Sequence, residues 1–226
     1  MDVIVLGETD STQDAARRLA APIGTVVLAG RQYAGRGRLG SQWADTADDG
    51  LAMTAVVASG QSERLAIVAA VAVAEAAESL GVDRAMIKWP NDVYVDDRKL
   101  AGVLIERDEA RSLVGIGMNI NQQRWPEDLH DKAISLAQIG LDVDRADVAA
   151  VVLQAFNRVA ELSESELTRE FIRRDRLTGR RAVIECRGEQ HDGIVRAVDP
   201  LSVLEIEVDG RRRRLPASHS HIISFE

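Results

Sequence analysis

Hydrophobic and polar positions along the chain follow two periods, and each period predicts one kind of element. Short apolar runs rich in β-branched residues predict strands, and the first of these strands is predicted to be buried. The runs are residues 3–6, 25–29, 51–58, 85–88, 93–95, 99–106 and 112–120. Apolar residues at helical spacing predict a core helix over residues 64–80, a second over 144–162 and a further helix ending near 174. Because the strands are mostly consecutive, the pattern predicts one sheet with a helix packed under it.

Two segments near the N-terminus have local sequence patterns that predict a helix cap and a long loop. Asp10 and Ser11 offer a cap for a helix after the first strand, and Asp14 is placed to complete a capping box. The first loop is therefore predicted to end at a helix N-terminus. Residues 31–50 are polar and glycine-rich and have no hydrophobic period, so they are predicted to form a long loop.

After residue 178 the pattern changes to short apolar runs separated by turn signals. The runs are residues 181–186, 194–198, 203–208 and 211–215, and the turns fall at Arg187-Gly188, Asp199-Pro200 and Asp209-Gly210. Asp-Gly between two such runs is a strong signal for a two-residue hairpin. The pattern predicts a larger domain over residues 1–177 and a small β-barrel over 178–226. So small a barrel needs to pack on the larger domain to be stable.

Composition and charge are those of a globular protein and exclude several classes. The 226 residues are 46% hydrophobic and 28% charged, which excludes a disordered or collagen-like chain. A net charge of −8 argues against nucleic-acid binding through bulk electrostatics. Cys186 has no partner for a disulfide, which indicates a reducing compartment, the cytoplasm by default. The start does not resemble a signal peptide, and the most apolar segment, residues 65–74, is too short to cross a bilayer.

The predicted loop contains Gly-Arg-Gly-Arg-Leu-Gly at residues 35–40. This spacing matches the dinucleotide-binding fingerprint, but no helical period follows it, and a Rossmann fold requires that helix. What remains is a flexible backbone that carries Arg36 and Arg38, with Trp43 close behind. Arginine forks bind carboxylate or phosphate oxygens, and an indole stacks on a flat base. The loop is thus a candidate ligand cover, and the alternative is a merely solvated loop.

Three further segments carry candidate polar groups. Residues 88–92 read Lys-Trp-Pro-Asn-Asp, and Asn91 and Asp92 either contact a base, a hydroxyl or Mg²⁺ or cap their own backbone. Lys99 heads an apolar strand and either projects its charge into a site or is solvated. Two glycines interrupt the strand over 112–120, which permits close approach of a ligand but equally indicates a bulge.

Other reactive residue types give weaker signals. Ser11 has no histidine near it in sequence, so a capping role explains it better than a nucleophilic one. His219 and His221 are spaced for one strand face, but no cysteine or carboxylate pattern completes a metal site, so no metal ligand is predicted. The arginine run over 211–214 is interpreted as a solvated face or a contact for an acidic partner.

Five motifs stand out when these segments are taken in chain order. They are Asp10-Ser11-Thr12-Gln13, Gln32-x-x-Gly35-Arg36-Gly37-Arg38-x-Gly40-x-x-Trp43, Lys88-Trp89-Pro90-Asn91-Asp92, Lys99-Leu100-Ala101-Gly102 and Gly115-x-Gly117-x-Asn119. In order and spacing they resemble the catalytic domain of biotin–protein ligases, over nearly the whole chain. The resemblance implies an α+β fold, a mixed sheet flanked by helices that is related to class II aminoacyl-tRNA synthetases and lipoate ligases. It also implies that the C-terminal barrel is SH3-like.

The same resemblance implies an activity. Such an enzyme activates biotin with MgATP to biotinyl-5′-AMP and pyrophosphate, without a protein nucleophile. It then passes the biotinyl group to one lysine of a biotin carboxyl carrier protein or domain. No winged-helix domain is expected before Val3, so no DNA-binding role is expected. Relatives of this type dimerise through a sheet edge, and whether this chain forms a homodimer is left open.

Roles for individual residues also follow from the resemblance. The implied biotin-binding set is Ser11, Thr12, Gln13, Gln32, Arg36, Gly37, Arg38 and Lys99. The implied nucleotide-binding set is Trp43, Asn91, Asp92 and Asn119. Lys99 and Arg38 are the expected catalytic cations, because biotin carboxylate and α-phosphate repel each other and need fixed positive charge between them.

Two positions depart from the family pattern. Ser41 stands where many relatives carry arginine, and Gln13 where many carry asparagine. One contact to the adenylate is therefore in doubt, although the reaction class is not. Ligation of lipoate or octanoate is the alternative enzyme activity, and non-catalytic binding of biotin or a nucleotide is the alternative from a different class.

Overall fold

The computed structural model describes residues 2–43, 49–108 and 110–226. Its larger sheet has seven strands in the spatial order β1-β2-β3-β7-β6-β5-β4. The strands are β1 (Asp2–Thr9), β2 (Thr25–Gln32), β3 (Gly50–Ala58), β4 (Met86–Lys88), β5 (Asp92–Val95), β6 (Arg98–Asp108) and β7 (Arg111–Asn119). Because β1 and β2 are parallel and the other neighbours antiparallel, the sheet is mixed, as expected. Residues 44–48 of the predicted long loop lie outside the described residues.

Helices pack against this sheet and against one another. They are α1 (Thr12–Arg18), α2 (Ser62–Ser79), α3 (Arg145–Ala160) and α4 (Glu164–Ile172). Every residue from 67 to 74 of α2 is buried, and small alanine side chains let this helix lie close to β6 and β7. The predicted core helix is thereby confirmed. Within the described ranges, no helix has the length and hydropathy needed to cross a bilayer.

Two expectations for the N-terminal elements are wrong. The first strand is not buried, because β1 lies at the edge of the sheet, where Val3 and Val5 are 53% and 72% exposed. Its β-branched residues reflect strand propensity, not burial. The capping box is only half formed: Ser11 Oγ accepts from the Asp14 N–H, but the Ser11 N–H donates to Asp10. Asp14 is instead committed to arginines.

A second, antiparallel sheet follows in the order β11-β10-β9-β8-β12. Its strands are β8 (Arg181–Cys186), β9 (Glu189–Asp199), β10 (Val203–Val208), β11 (Arg211–Pro216) and β12 (Ser220–Phe225). The predicted turns at Arg187-Gly188 and Asp209-Gly210 are confirmed, since all four residues have the positive φ of a type I′ turn. The sequence pattern missed β12, because a short 3₁₀ turn leads into it instead of a glycine turn. This missed strand reaches the site described below.

The two sheets share one hydrophobic core. Buried residues of the small sheet, Ile184 and Leu204 among them, belong to the same apolar cluster as α2 and the large sheet. The Trp89 indole, only 4% exposed, donates from Nε1 to the Pro200 carbonyl at 3.0 Å. Tyr94 and Phe225 meet edge to face with ring centroids 6.1 Å apart. The small sheet therefore packs on the larger one, as its size requires.

Replacing Trp89 by phenylalanine tests this connection. We expect the free energy of unfolding to fall by about 1–3 kcal/mol, because the buried Pro200 carbonyl loses its donor. Urea unfolding measures the change, with Trp125→Phe as the control. The Trp125 indole donates to Gln138 at an exposed position, so its loss is expected to cost less than about 0.5 kcal/mol. Equal losses in the two variants would show that the Trp89 bond does not stabilise the fold.

Candidate active site

A cleft of about 260 Å³ lies where the glycine-rich loop, the turn after β4 and strands β6 and β7 meet. The N-terminus of α1 forms one end of the cleft, and His221 and Ile222 of β12 contribute to its wall. All the sequence-predicted site residues except Asn119 line this cleft. Motifs that are far apart in sequence thus meet at one place.

The centre of the cleft carries more positive than negative charge. Lys99 Nζ lies 2.7 Å from Asp92 Oδ1, and Arg38 Nη1 donates to Asn91 Oδ1 at 3.1 Å. Lys88 also lines the cleft, whereas Asp92 is the only carboxylate among the described lining residues. Although the whole chain is acidic, this cleft is suited to an anionic ligand.

Desolvation lowers the pKa of two cleft cations. Burial lowers the pKa of Lys88 below its usual value, and the nearby Asp92 partly offsets that shift. Desolvation likewise lowers the pKa of Arg38, although a guanidinium stays charged at neutral pH. An anionic ligand would stabilise the charged forms of both groups, because it would replace the hydration that burial removes.

The backbone around Lys99 is fixed by hydrogen bonds to the segment over residues 132–134. The Lys99 N–H donates to the Lys132 carbonyl at 2.7 Å, and its carbonyl accepts from the Ile134 N–H at 3.0 Å. The buried Asn119 amide donates to the Lys99 carbonyl at 3.2 Å and to the Ile134 carbonyl at 3.1 Å. Asn119 therefore lies behind Lys99 and positions it.

Glycines form the floor under Trp43. Gly102 of β6 and Gly117 of β7 are register partners, and the indole lies directly over them. A Cβ atom on Gly117 would come within 2.6 Å of the indole, and one on Gly102 within 3.0 Å of the Lys99 side chain. Lys99 Nζ is 5.7 Å from the centroid of the Trp43 ring. The Gly102–Gly117 pair thus leaves room for a flat ring next to a cation. A Cβ atom on Gly115 would come within 3.0 Å of the Gln13 side chain, and β7 pairs with β3 and β6 without a register shift, so close approach explains Gly115 and Gly117 better than a bulge.

A set of buried polar groups closes the other end of the cleft. The Gln32 side-chain oxygen accepts from the Thr12 N–H at 2.8 Å, and the Thr12 hydroxyl accepts from Thr54 at 2.8 Å. Gln13 reaches across to donate to the Leu104 and Leu113 carbonyls, both at 3.3 Å. The longer glutamine at this position therefore joins α1 to β6 and β7. Thr54 gave no signal in the sequence, because it is one threonine in an apolar strand.

The Arg36 guanidinium does not lie with Lys99, Arg38 and Lys88 at the centre of the cleft. Its guanidinium forms an ion pair with Asp14, and its Nη2 lies 3.4 Å from a Glu106 oxygen. Arg17 bridges the same two carboxylates, at 3.0 Å from Asp14 and 2.7 Å from Glu106. The hydrogen bond from Arg36 holds the pKa of Asp14 below its usual value of 3.8, so this ion pair is complete at neutral pH and weakens only in more acidic solution. Arg36 therefore fastens the loop to α1 and β6.

Ser41 acts within the loop. Its hydroxyl donates to the Arg38 carbonyl at 2.8 Å, and its carbonyl accepts from the Gly37 N–H at 2.7 Å. A Cβ atom on Gly37 would lie 2.4 Å from the Ser41 hydroxyl. The serine thus helps to fold the loop tightly.

Replacing Arg36 by glutamine is expected to loosen the loop. An exposed ion-pair network contributes about 1 kcal/mol, so trypsin should cleave after Arg38 about 5-fold faster in this variant. Arg31→Gln is the control, because Arg31 makes only a loose pair with Glu8 at 3.7 Å. Mass spectrometry of the early fragments measures the rate. Unchanged cleavage after Arg38 in the Arg36 variant would contradict a fastening role.

The two histidines singled out in the sequence lie at the start of the last strand. His219 lies in the 3₁₀ turn before β12, and His221 Nε2 is 3.7 Å from a Glu185 oxygen. Across the part of the chain that the structure describes, no three metal-ligating side chains form a cluster.

The segment that contains the site matches a known protein family. The model of the Biotin/lipoate A/B protein ligase family matches residues 6–123, a range that contains every predicted site residue. The chain belongs to this family. Among members of the biotin/lipoate ligase family, the Bacillus subtilis bifunctional ligase/repressor BirA is 38% identical over 163 residues, which cover 66% of this chain and 50% of that protein. The chain thus spans half the length of that relative.

Two other members of the biotin/lipoate ligase family resemble the chain over more of its length. The biotin–[acetyl-CoA-carboxylase] ligase of Mycobacterium tuberculosis is 32% identical over 227 residues, covering 92% of this chain and 84% of that protein. The Aquifex aeolicus biotin protein ligase, solved in complex with biotin and ATP, superposes with a TM-score of 0.89 at 28% identity over 98% of both chains. The similarity of fold therefore includes the C-terminal sheet.

Proposed function

We propose that the chain is a biotin–protein ligase that acts on a biotin carboxyl carrier protein or domain. In the first step the biotin carboxylate attacks the α-phosphorus of MgATP, which forms biotinyl-5′-AMP and releases pyrophosphate. In the second step a carrier lysine attacks the acyl carbonyl, loses a proton and releases AMP. The observation that carries the proposal is the convergence of Lys99 and Arg38 in a cleft whose described lining residues include one carboxylate, Asp92.

The chemistry explains why fixed cations are needed. A carboxylate and a phosphate both carry negative charge, and still more charge collects on the phosphate oxygens as pyrophosphate leaves. In this proposal Lys99 bridges the two groups, and Arg38 covers them from the loop. A ligand anion would compete with Asp92 for the Lys99 ammonium, which is already held in position by its fixed backbone.

The remaining residues receive complementary roles in this proposal. The cluster of Ser11, Thr12, Gln13 and Gln32 offers hydroxyl and amide groups to the ureido ring of biotin. The loop of Arg36, Gly37 and Arg38 covers the reacting groups, which keeps water from the hydrolysable mixed anhydride. Trp43 flanks adenine, and Asn91 and Asp92 help to hold the nucleotide. Asn119 contributes by fixing Lys99.

Mg²⁺ is proposed to enter with ATP. Asp92 Oδ1 is buried and, apart from its ion pair with Lys99, has no hydrogen-bond partner among the residues that the structure describes. Magnesium in nucleotide sites is typically held by one or two carboxylates together with phosphates and water, and a single carboxylate oxygen fits that requirement. Asp92 would be the protein ligand, and the ion would neutralise charge on the phosphates.

Residues 178–226 are proposed to form a separate SH3-like domain that adjoins a catalytic domain over 1–177. β9 pairs with β8 through residues 189–194 and with β10 through 194–199. Register shifts interrupt the β9–β10 and β8–β12 pairs. One long strand shared in this way, with irregularities that bend it, is how a small sheet curves into a barrel.

The proposal also covers the location and the oligomeric state of the enzyme. A cytoplasmic location is proposed, where ATP is available and the unpaired Cys186 stays reduced.

A homodimer is proposed through the free edge of β1, where Val3 and Val5 are exposed. Sedimentation velocity of the wild type and of Val5→Lys tests the dimer, which the lysine should dissociate. No nucleic acid is proposed as a partner.

Transfer of label to a purified carrier domain tests the function. With radiolabelled biotin and MgATP the chain should label the carrier domain at its single acceptor lysine, whereas lipoate or octanoate should not be transferred. Transfer of lipoate in preference to biotin would identify the alternative ligase. Binding of biotin without any transfer or pyrophosphate release would identify a non-catalytic binding protein.

A further inference from the structure

Lys88 is a cation in the cleft that the roles above leave unused. It is the last residue of β4, and its side chain lines the cleft. Within the described ranges its ammonium makes no ion pair and no side-chain hydrogen bond, and its one close partner is the ring of Phe225, whose centroid is 5.1 Å from Nζ. A partly buried ammonium without a counter-ion is costly unless a ligand supplies the negative charge.

The charges around Lys88 strengthen this requirement. Asp92, the carboxylate whose charge acts on Lys88, is 2.7 Å from Lys99 Nζ and is therefore shared. Burial lowers the pKa of Lys88, and the positive charges of Lys99, Arg38 and Arg176 lower it further. This part of the cleft thus holds a surplus of positive charge.

Phe225 comes from β12 and holds Lys88 from the side of the small sheet. Its ring meets Tyr94 edge to face at 6.1 Å and lies 5.3 Å from the Arg176 guanidinium. Arg176 is only 6% exposed, so the ring is fixed by a buried cluster. An aromatic face attracts an ammonium without neutralising it. Phe225 can therefore position Lys88 and leave its charge available.

The positions of Trp43, Lys99 and Lys88 across the sheet indicate which part of ATP would lie at Lys88. The Trp43 indole lies over Gly102 and Gly117 on β6 and β7, Lys99 lies on β6, and Lys88 lies on the edge strand β4. If adenine lies at Trp43 and the α-phosphate at Lys99, the next cation in this direction is Lys88. In an in-line displacement the leaving pyrophosphate moves away from the attacking carboxylate, and it needs a cation of its own.

We propose that Lys88 binds the β- and γ-phosphates of ATP and the leaving pyrophosphate, and that Phe225 is the positioning residue for its ammonium. The inference rests on the proposed adenylation. It makes the C-terminal sheet part of the nucleotide site. Lys88 acts only in the first half-reaction, because pyrophosphate has left before the carrier lysine attacks.

Lys88→Gln tests the phosphate contact. Loss of a charge-assisted hydrogen bond is expected to raise the KM for ATP, and for pyrophosphate in the reverse reaction, about 10- to 100-fold. Equilibrium binding should show the same loss for ATP and almost none for AMP. Transfer from supplied biotinyl-5′-AMP to the carrier should stay within about 2-fold of wild type. Arg84→Gln, which removes an exposed cation next to β4, is the matched control.

Phe225 is tested by a pair of variants. Phe225→Leu keeps an apolar side chain but removes the ring, so the KM for ATP should rise about 2- to 5-fold. Phe225→Tyr should restore the wild-type KM. Ile223→Ala on the same strand is the control, because Ile223 is 46% exposed. A merely structural role for the ring would lower ATP and AMP affinity alike.

The outcomes separate this inference from the proposed function. Absence of biotin-dependent exchange in the wild type would refute the ligase proposal, whereas the comparison of ATP and AMP binding would still test Lys88. Wild-type ATP affinity in Lys88→Gln, or equal loss of ATP and AMP affinity, would overturn the inference. If circular dichroism shows that Lys88→Gln does not fold, the two Phe225 variants test the inference instead. Equal KM values for ATP in Phe225→Leu and Phe225→Tyr would then overturn it.

Discussion

Lys99→Ala is expected to lower biotin-dependent ATP–pyrophosphate exchange by about 10²- to 10³-fold while the protein stays folded. At an effective dielectric constant near 20, a cation about 4 Å from an anion contributes on the order of 4 kcal/mol before desolvation. The backbone of Lys99 is constrained, since Lys132, Ile134 and Asn119 all bind its main chain. Its ammonium is therefore preorganised for the charge that develops in the transition state.

The control for this variant is Arg98→Ala. Arg98 is the neighbouring residue on β6, and successive strand residues point to opposite faces, so its removal changes the net charge equally without touching the cleft. Exchange should remain near wild type in the control. Near-normal exchange in Lys99→Ala, with an unchanged melting temperature, would defeat the assignment of Lys99 as the central cation.

Gly117→Val is expected to raise the KM for ATP about 10- to 100-fold without unfolding the chain. The three atoms nearest to a Cβ at this position all belong to the Trp43 indole, the closest at 2.6 Å. The clash therefore displaces the ring from its floor and separates it from Lys99. Valine is a good strand residue, so β7 should keep its pairing with β3 and β6.

Gly7→Val provides the matched control for the glycine floor. Gly7 lies in β1 of the same sheet, and a Cβ atom there meets nothing within 4 Å. This variant should keep the wild-type KM for ATP. If Gly117→Val also binds ATP as tightly as wild type, the indole does not need the floor, and Trp43 loses its proposed place beside adenine.

The sequence was sufficient to predict which segments meet, but not which partners their individual side chains contact. The motifs at residues 10–13, 35–43, 88–92 and 99–102 do converge on one cleft. Arg36 and Arg38 looked equivalent in the loop sequence, yet only Arg38 faces the centre, because Asp14 and Glu106 take Arg36. Glu106 is 70 residues from Arg36, and no local pattern records such a pair.

Two features of the site depend on tertiary structure alone. The amide of Asn119, a residue predicted to contact the nucleotide, donates to the Lys99 and Ile134 carbonyls, because a glycine-containing strand brings it behind Lys99. Phe225 reaches Lys88 only because the unpredicted β12 pairs with β8. Both contacts join residues far apart in the chain, and hydrophobic periodicity carries no information about them.

Formation of biotinyl-5′-AMP in the absence of any carrier tests the central claim most directly. The protein is incubated with biotin and MgATP, and the quenched products are quantified by mass spectrometry together with the released pyrophosphate. The account predicts biotinyl-5′-AMP and pyrophosphate in equal amounts, with neither product when biotin is left out. Release of pyrophosphate without the mixed anhydride, or no reaction of biotin with ATP at all, would contradict it.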